Sequence, residues 1–114
     1  MQKQPVYRNA ALLAYAKHSP CQNPLCQRDD GTVVAAHYSG PNSYALGKGK
    51  GIKPSDMAIA YLCASCHAAV DTGISHEGMR YDCEDQLLLW AVAHVKTMEW
   101  LISEGMLHVG KFNK

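Results

Sequence analysis

Two pairs of closely spaced cysteines are the first candidates for chemistry in this 114-residue chain. Cys21 and Cys26 have four residues between them, and Cys63 and Cys66 have two. Two short-spaced thiol pairs separated by a longer stretch are typical of a structural, tetrahedral Zn²⁺ site. We therefore predict one zinc ion held by all four cysteines, whose loss would unfold the protein. The fifth cysteine, Cys83, is expected to be a small buried residue at a helix start.

The stretch from Cys63 to His67 also fits the attachment pattern of a c-type haem. Haem attachment would require an oxidising compartment and would leave Cys21 and Cys26 without a role, so we expect zinc and no haem. The first residues contain no hydrophobic stretch after a basic one, which predicts no signal peptide and a cytoplasmic protein with reduced thiols. The longest apolar run, 87–93, is too short to cross a bilayer, and no membrane partner is expected.

Histidine and aspartate follow the second cysteine pair at helical spacing. His67 comes directly after Cys66, and Asp71 lies four residues further on. In a helix these two side chains share one face, which suits a second metal ion or a catalytic centre beside the zinc. A β-branched run that ends near His37 could bring a further imidazole to this place.

The elements that must position these residues form one α+β domain over 1–114. Asn9 is a plausible N-cap for a short N-terminal helix, and Asp82 for a long C-terminal helix that Gly105 ends. The predicted elements are helices at 9–17, about 65–70 and 82–105, and strands at 32–38 and 57–62. The two strands are antiparallel if the loop at 39–56 folds back. The long helix is expected to bury a stripe of apolar residues: Leu87, Leu88, Ala91, Val95, Met98, Leu101 and Ile102. Trp90 and Trp100 are expected to be packing anchors.

Charge is distributed unevenly along a chain whose net charge is only +1. Residues 1–53 hold seven Lys or Arg against two acids, and residues 54–114 hold four against eight. Either the chain presents one basic face, or its halves interleave in space and cancel. The alternating glycines and lysines from Gly47 to Lys53 predict a flexible basic arm, which lacks the spacing of a phosphate-binding P-loop.

Together these features resemble the HNH nucleases, also called ββα-metal or His-Me finger nucleases. The likeness is to the small zinc-bearing members that phages and prophages carry. It covers about residues 8–76, with the helix at 82–105 as an accessory. The matching text is the Cys21 and Cys26 pair, Ala36-His37, the Gly47-to-Lys53 arm with Pro54 to Asp56, Leu62-Cys63 with Cys66-His67, and Asp71.

The resemblance implies hydrolysis of a DNA phosphodiester bond. His37 would be the general base that takes a proton from water. A Mg²⁺- or Mn²⁺-type ion held by His67 and Asp71 would stabilise the developing charge. Asp56 falls near the family's central Asn, which steadies the base, and Lys48, Lys50 and Lys53 would contact phosphates. The implied processes are phage recombination, repair or genome processing.

Two positions depart from the family pattern, Ala36 before the base and Asp56 near the place of the central Asn, and alternatives stay open. Many members have an Asp or His metal ligand where Ala36 stands, so the ion would have only two protein ligands and water, or a third ligand from His76 or Asp56. The rival interpretation is a catalytically inactive zinc module that binds DNA or a protein, and a third is a structural phage component. In these cases His37 would be an interior histidine and the Gly/Lys arm a solvated linker. A homodimer through the long helix is possible, although its stripe must first serve the protein's own core.

Overall fold

The computed structural model describes residues 6–49, 52–108 and 110. It has an α+β fold, which confirms the predicted class at that level. Short 3₁₀ turns follow the first helix at Tyr15–His18 and interrupt the loop between the strands at Ser43–Leu46. The elements in chain order are α1 (Ala10–Ala14), β1 (Val34–His37), β2 (Ile59–Leu62), α2 (Ala64–Thr72) and α3 (Cys83–Ser103).

The two strands form an antiparallel sheet in which His37 pairs with Ile59 and Val34 with Leu62. Every residue of β2 is buried, because β1 lies along one edge and α3 packs against the strand. In strand β1 only Ala36 is buried. Ala36 is 1% exposed and faces the core, whereas its neighbours are more accessible. Position 37 therefore lies on the opposite side of the strand from the core.

The free edge of β2 is covered by side chains and a loop rather than by a third strand. The Thr97 hydroxyl accepts a hydrogen bond from the Tyr61 backbone N–H (2.9 Å). The His94 ring donates from Nδ1 to the Ile59 carbonyl (2.7 Å), and Gln22 N–H donates to the Tyr61 carbonyl (2.8 Å). A bare edge would leave these polar groups buried without partners, at a cost comparable to a lost hydrogen bond for each.

Helix α3 presents a different face to the core from the one that its apolar residues predict. Its buried residues are Trp90, Ala93, Thr97 and Leu101. Of the predicted stripe, Leu101 is buried and Ala91 and Met98 lie at the core's margin, but Leu87, Leu88, Val95 and Ile102 are each at least 41% exposed. The prediction was wrong for these four because the helix is apolar on more than one side. Periodicity alone cannot then choose which side is buried.

Both tryptophans pack against the core, as the sequence predicted. The Trp90 indole donates to the Ala36 carbonyl (3.0 Å) and stacks on the His94 ring, with centroids 4.9 Å apart. Trp100 meets the Tyr61 ring edge-on at 6.0 Å. These contacts fix the long helix across both strands.

The helix ends follow the predicted capping chemistry. Asn9 accepts a hydrogen bond from Leu12 N–H (3.1 Å), and Asp82 accepts one from Asp85 N–H (2.8 Å). Gly73 ends α2 with a φ of 82°, a left-handed conformation that residues other than glycine rarely adopt. No helix in the described part of the chain has the length and apolar character needed to span a membrane.

We predict that Thr97→Val destabilises the protein by about 1–2 kcal/mol, because the buried Tyr61 N–H loses its acceptor while side-chain volume is kept. Urea unfolding followed by circular dichroism measures this difference. The matched control is Val95→Thr, two residues away on the exposed side of α3, which should change stability by less than about 0.5 kcal/mol. Equal effects of the two substitutions would contradict the role given to Thr97.

Candidate metal centre and adjoining histidine cavity

Four cysteines form one compact cluster. The sulfur atoms of Cys21, Cys26, Cys63 and Cys66 all lie within 4.8 Å of one another. The Cys26 and Cys63 sulfurs are 3.8 Å apart, and all four cysteines are free thiols rather than disulfides. The predicted grouping of the two pairs is confirmed, and the cluster could bind a metal ion.

Local structure explains how each pair reaches the cluster. Cys21 N–H donates to the Arg28 carbonyl (2.8 Å) and Cys26 N–H to the Asn23 carbonyl (2.9 Å), so the first pair closes a tight loop. Cys63 is the N-cap residue of α2, and Cys66 lies in its first turn. The cluster therefore joins the loop after α1 to the junction between β2 and α2.

The donor set and its spacing fit a tetrahedral zinc ion. Zn–S bonds of about 2.3 Å in a regular tetrahedron place sulfur atoms about 3.8 Å apart. That value matches the separation of Cys26 and Cys63. Three of the cysteines are buried and Cys26 is partly exposed, which is typical of a structural site with no open position for a substrate.

The Asn23 side chain supports the cluster with a hydrogen bond to sulfur. Its amide donates to the Cys66 sulfur (3.4 Å), and the residue is 9% exposed. The hydrogen bond from Cys66 lowers the pKa of Cys21 to about 5. The same hydrogen bond is the largest cause of the raised pKa of Cys66, and burial is the next largest. Burial also raises the pKa of Cys63. Without a cation, Cys63 and Cys66 thus hold their protons more tightly than an ordinary cysteine, and a bound metal ion would displace these protons.

A polar network lies beside the cluster. The Ser65 hydroxyl contacts both carboxylate oxygens of Glu77 (2.8 and 2.9 Å), and Arg28 contacts Glu77 at 3.3 Å. His76 N–H donates to the Ser65 hydroxyl (3.2 Å). This network ties the segment that contains His76 to the first turn of α2.

His37 forms the central contact of a second site. Its Nε2 lies 2.8 Å from Oδ1 of Asp56, whose side chain is 4% exposed. An ionised carboxylate can only accept, so Nε2 carries the proton and Nδ1 of the neutral ring is left as an acceptor. Asp56 had been expected near the base, and the structure places it in direct contact with His37.

Asp56 is held by the N-terminal segment. Arg8 contacts Oδ1 of Asp56 at 3.2 Å and also donates to the carbonyls of Lys53 (2.6 Å) and Pro54. Asn9 N–H donates to Oδ2 (2.7 Å). Burial opposes the charge of the Asp56 carboxylate, but the hydrogen bonds from Asn9 and His37 and the charge of Arg8 outweigh it and lower the pKa of Asp56.

The predicted pair on α2 also forms. His67 Nε2 lies 3.0 Å from Oδ2 of Asp71, with both side chains partly exposed. His37, His67 and Asp71 line one open cavity of about 600 Å³. Strand β1 thus contributes His37 to this cavity, and helix α2 contributes His67 and Asp71.

Lys48 and Lys53 line the same cavity, whereas Lys50 lies outside the described residues. His76 does not line the cavity and belongs to the network at Ser65. The Ala36 position faces the core, so β1 offers no second ligand there. Within the described ranges, the four cysteines are the only group of three or more metal-type side chains whose donor atoms lie this close together.

Several residues of these sites carried no sequence signal. Arg8 is separated from Asp56 by 48 positions, and nothing local indicates the contact. Asn23 could have been suspected from its position inside the first cysteine pair, but amides are common in such loops. Cys83 was expected to be buried and is exposed, because the first turn of α3 projects into solvent. His94 was assigned no role, yet it covers the edge of β2.

Comparison with known proteins identifies no relative: no family model, no curated protein and no solved structure matches this chain. The functional proposals below therefore rest on the residues, their geometry and the resemblance of the sequence motifs to the HNH nucleases.

We predict that Cys63→Ser abolishes stoichiometric zinc binding and cooperative unfolding, because three sulfurs cannot close the site. Metal analysis and thermal unfolding of the purified protein measure both effects. Cys83→Ser is the matched control, since this exposed cysteine lies outside the cluster, and it should keep one zinc per chain. Chelation of the wild-type protein should reproduce the Cys63→Ser unfolding. A zinc-free wild-type protein that melts unchanged would contradict a structural role for the metal.

We predict that Asp56→Asn costs about 1.5–3 kcal/mol at pH 7, since a buried, hydrogen-bonded charge is lost. The pKa of Asp56 is lowered in the folded state, so its stabilising contribution is present at neutral pH and lost as the pH falls through that lowered value. The stability difference between wild type and Asp56→Asn should therefore shrink below about pH 4. Denaturant unfolding across pH tests this, with exposed Asp29→Asn as the control. A difference that is constant with pH would contradict the assignment.

Proposed function

We propose that this protein is a metal-dependent endonuclease or nickase of the HNH type that hydrolyses DNA phosphodiester bonds. The observation that carries the proposal is the shared cavity: a histidine oriented by a buried aspartate faces a His–Asp pair on a helix, with two lysines at the rim. The order strand, loop, strand and helix beside a cysteine cluster supports the same conclusion.

His37 would act as the general base. Asp56 binds the protonated Nε2 nitrogen, which fixes the ring orientation and leaves Nδ1 to accept a proton from a water molecule. Arg8 and Asn9 hold the carboxylate in turn, so the ring is braced by the N-terminal segment. The proton passes from water to His37, the resulting hydroxide attacks the phosphorus atom, and the bond from phosphorus to the leaving 3′ oxygen breaks. The leaving oxygen then takes a proton from solvent.

His67 and Asp71 would hold the catalytic divalent ion, Mg²⁺ or Mn²⁺. When bound, such an ion supplies stabilisation of negative charge on the phosphate and the leaving oxygen. An imidazole and a carboxylate are both suitable donors for Mn²⁺, and the carboxylate suits Mg²⁺. With two protein ligands, water and phosphate oxygens would complete the coordination shell.

Lys48 and Lys53 would bind the DNA backbone. Both line the cavity, so their ammonium groups can contact phosphates that flank the scissile bond. Such contacts position the duplex without reading its sequence. A role in phage recombination, repair or genome processing is part of the proposal and rests on the family resemblance alone.

Plasmid nicking with Mg²⁺ or Mn²⁺ tests the proposed activity. We predict that His37→Ala reduces the nicking rate by about 10²–10⁴-fold, because a general base contributes about that much. His108→Ala, at an exposed histidine near the C-terminal end, should leave the rate unchanged. All proteins are compared at equal zinc content and equal thermal stability. Equal nicking by wild type and His37→Ala would mean that a contaminant or another base is responsible.

A catalytically inactive zinc module that binds DNA or a protein is the second candidate. It is favoured by the direct 3.0 Å contact of His67 with Asp71, because these two groups bind each other rather than an ion. It is also favoured by the small number of metal-ligand side chains that line the cavity. Salt-dependent DNA binding by wild type without nicking would identify a DNA-binding module. No DNA affinity at low salt would instead favour a structural or protein-binding role.

A further inference from the structure

A second cavity opens beside the histidine cavity, the one that His37, His67 and Asp71 line. Its volume is about 300 Å³, at the lower end of the range for small-ligand sites. Tyr38, Ser39 and Asp71 line both cavities, so the two cavities adjoin. The rest of the lining comes from the loop after β1, the end of α2 and the start of α3, and includes Pro41, Gln86, Leu87 and Trp90. A ligand bound at the histidine cavity can therefore extend into the second cavity.

The walls of the second cavity are held by hydrogen bonds and ring contacts. The Tyr38 hydroxyl donates to the Pro41 carbonyl (2.6 Å), and the centroid of the Tyr38 ring lies 4.9 Å from that of Trp90. The Gln86 amide donates to the Val70 carbonyl (2.9 Å), which ties the start of α3 to the end of α2. The cavity is thus preformed, as most ligand sites are.

The two cavities differ in charge. Lys48 and Lys53 line the histidine cavity, whereas none of the described lysines or arginines lines the second cavity. Among the described residues, the charged group that lines the second cavity is Asp71, which lies at the boundary and contacts His67 at 3.0 Å. A phosphate is therefore favoured at the histidine cavity, where the lysines are. The part of the same ligand that enters the second cavity is expected to be uncharged.

A nucleobase is the flat, uncharged group that a single sugar joins to a DNA phosphate. Tyr38 and Trp90, with Leu87, give the second cavity an aromatic and apolar lining against which a base can stack. Trp90 is 7% exposed and Tyr38 is partly exposed, so the accessible aromatic surface belongs mainly to Tyr38. Ser39 and Gln86 supply polar groups for the edge of a base. Proteins that bind single-stranded DNA combine basic groups along the backbone with aromatic side chains beneath the bases in the same way.

We propose that the second cavity binds an unpaired base of the DNA strand whose phosphate lies at the histidine cavity. This inference rests on the proposed function, because it takes DNA as the ligand. A base inside a duplex is paired and stacked, so entry into the cavity costs least where the base is already unpaired. The preferred substrate is therefore DNA with a single-stranded stretch, a gap or a frayed end at the cleavage site, rather than continuous duplex.

Protection of Cys83 from a maleimide tests whether the second cavity is occupied, without requiring cleavage. Cys83 lines this cavity and is exposed, whereas the other four cysteines belong to the metal cluster. A short single-stranded oligonucleotide is added to the zinc-loaded full chain without Mg²⁺ or Mn²⁺. Modification of Cys83 should slow about tenfold at about ten times the Kd, because only free protein reacts. An abasic strand of equal length carries the same phosphates and should leave the rate unchanged.

Tyr38→Leu tests the aromatic wall, with fluorescence anisotropy as the measure of affinity. It should weaken binding of the base-bearing strand by about 5- to 100-fold, the range for loss of one stacked base, and leave binding of the abasic strand unchanged. The matched control is Tyr44→Leu in the same loop, since Tyr44 is 74% exposed and lines neither cavity. Thermal unfolding checks that both variants fold. If Tyr38→Leu does not fold, protection of Cys83 in the wild-type chain decides.

The outcomes separate this inference from the proposed function. Equal modification of Cys83 in the presence of the two strands, with both strands bound, would overturn the base site and leave the nuclease proposal standing. Protection by the base-bearing strand alone, in a protein that nicks no DNA, would support the base site and overturn the nuclease. A wild-type chain that binds no DNA at low salt would overturn both.

Discussion

The contact of four sulfur atoms is the constraint on which the rest of the structure depends. It joins a loop that has no regular secondary structure to the first turn of α2, and it does so at the end of the most buried strand. A domain of this size has a modest core whose packing contributes little net stability, and a metal site adds to it. The cluster also fixes the start of α2. Because His67 directly follows Cys66, any ion that holds the sulfurs also fixes one wall of the cavity.

Strand β2 and helix α3 complete the framework. A two-stranded sheet is marginal alone, and its exposed edge would leave buried backbone groups without partners. Here Thr97 and His94 of α3 serve that edge, while Trp90 reaches across to the backbone of β1. The helix therefore does more than cover the sheet. It replaces a third strand in hydrogen bonding, which explains why two of its core-facing residues are polar.

The sequence allowed prediction of local features better than long-range ones. Cysteine spacing and the interval between His67 and Asp71 are local, and the structure brings these groups together as predicted. The buried face of α3 was not predictable from its hydrophobic pattern, because the helix has two apolar sides. The side that contains Thr97 packs against the core. The contact of Arg8 with Asp56 joins distant residues, and neither charge nor position indicates it.

The uneven charge of the two halves is partly neutralised in space. Arg8 of the basic half contacts Asp56 of the acidic half, and Arg28 contacts Glu77. Lys48 and Lys53 instead line the cavity with His37. These two arginines thus hold the scaffold, and these two lysines line the open cavity. An anionic ligand at this cavity would meet ammonium groups beside an imidazole, while the buried carboxylate behind that imidazole is already balanced by Arg8. Lys48 and Lys53 therefore share the cavity with one carboxylate, Asp71, which already contacts His67 at 3.0 Å.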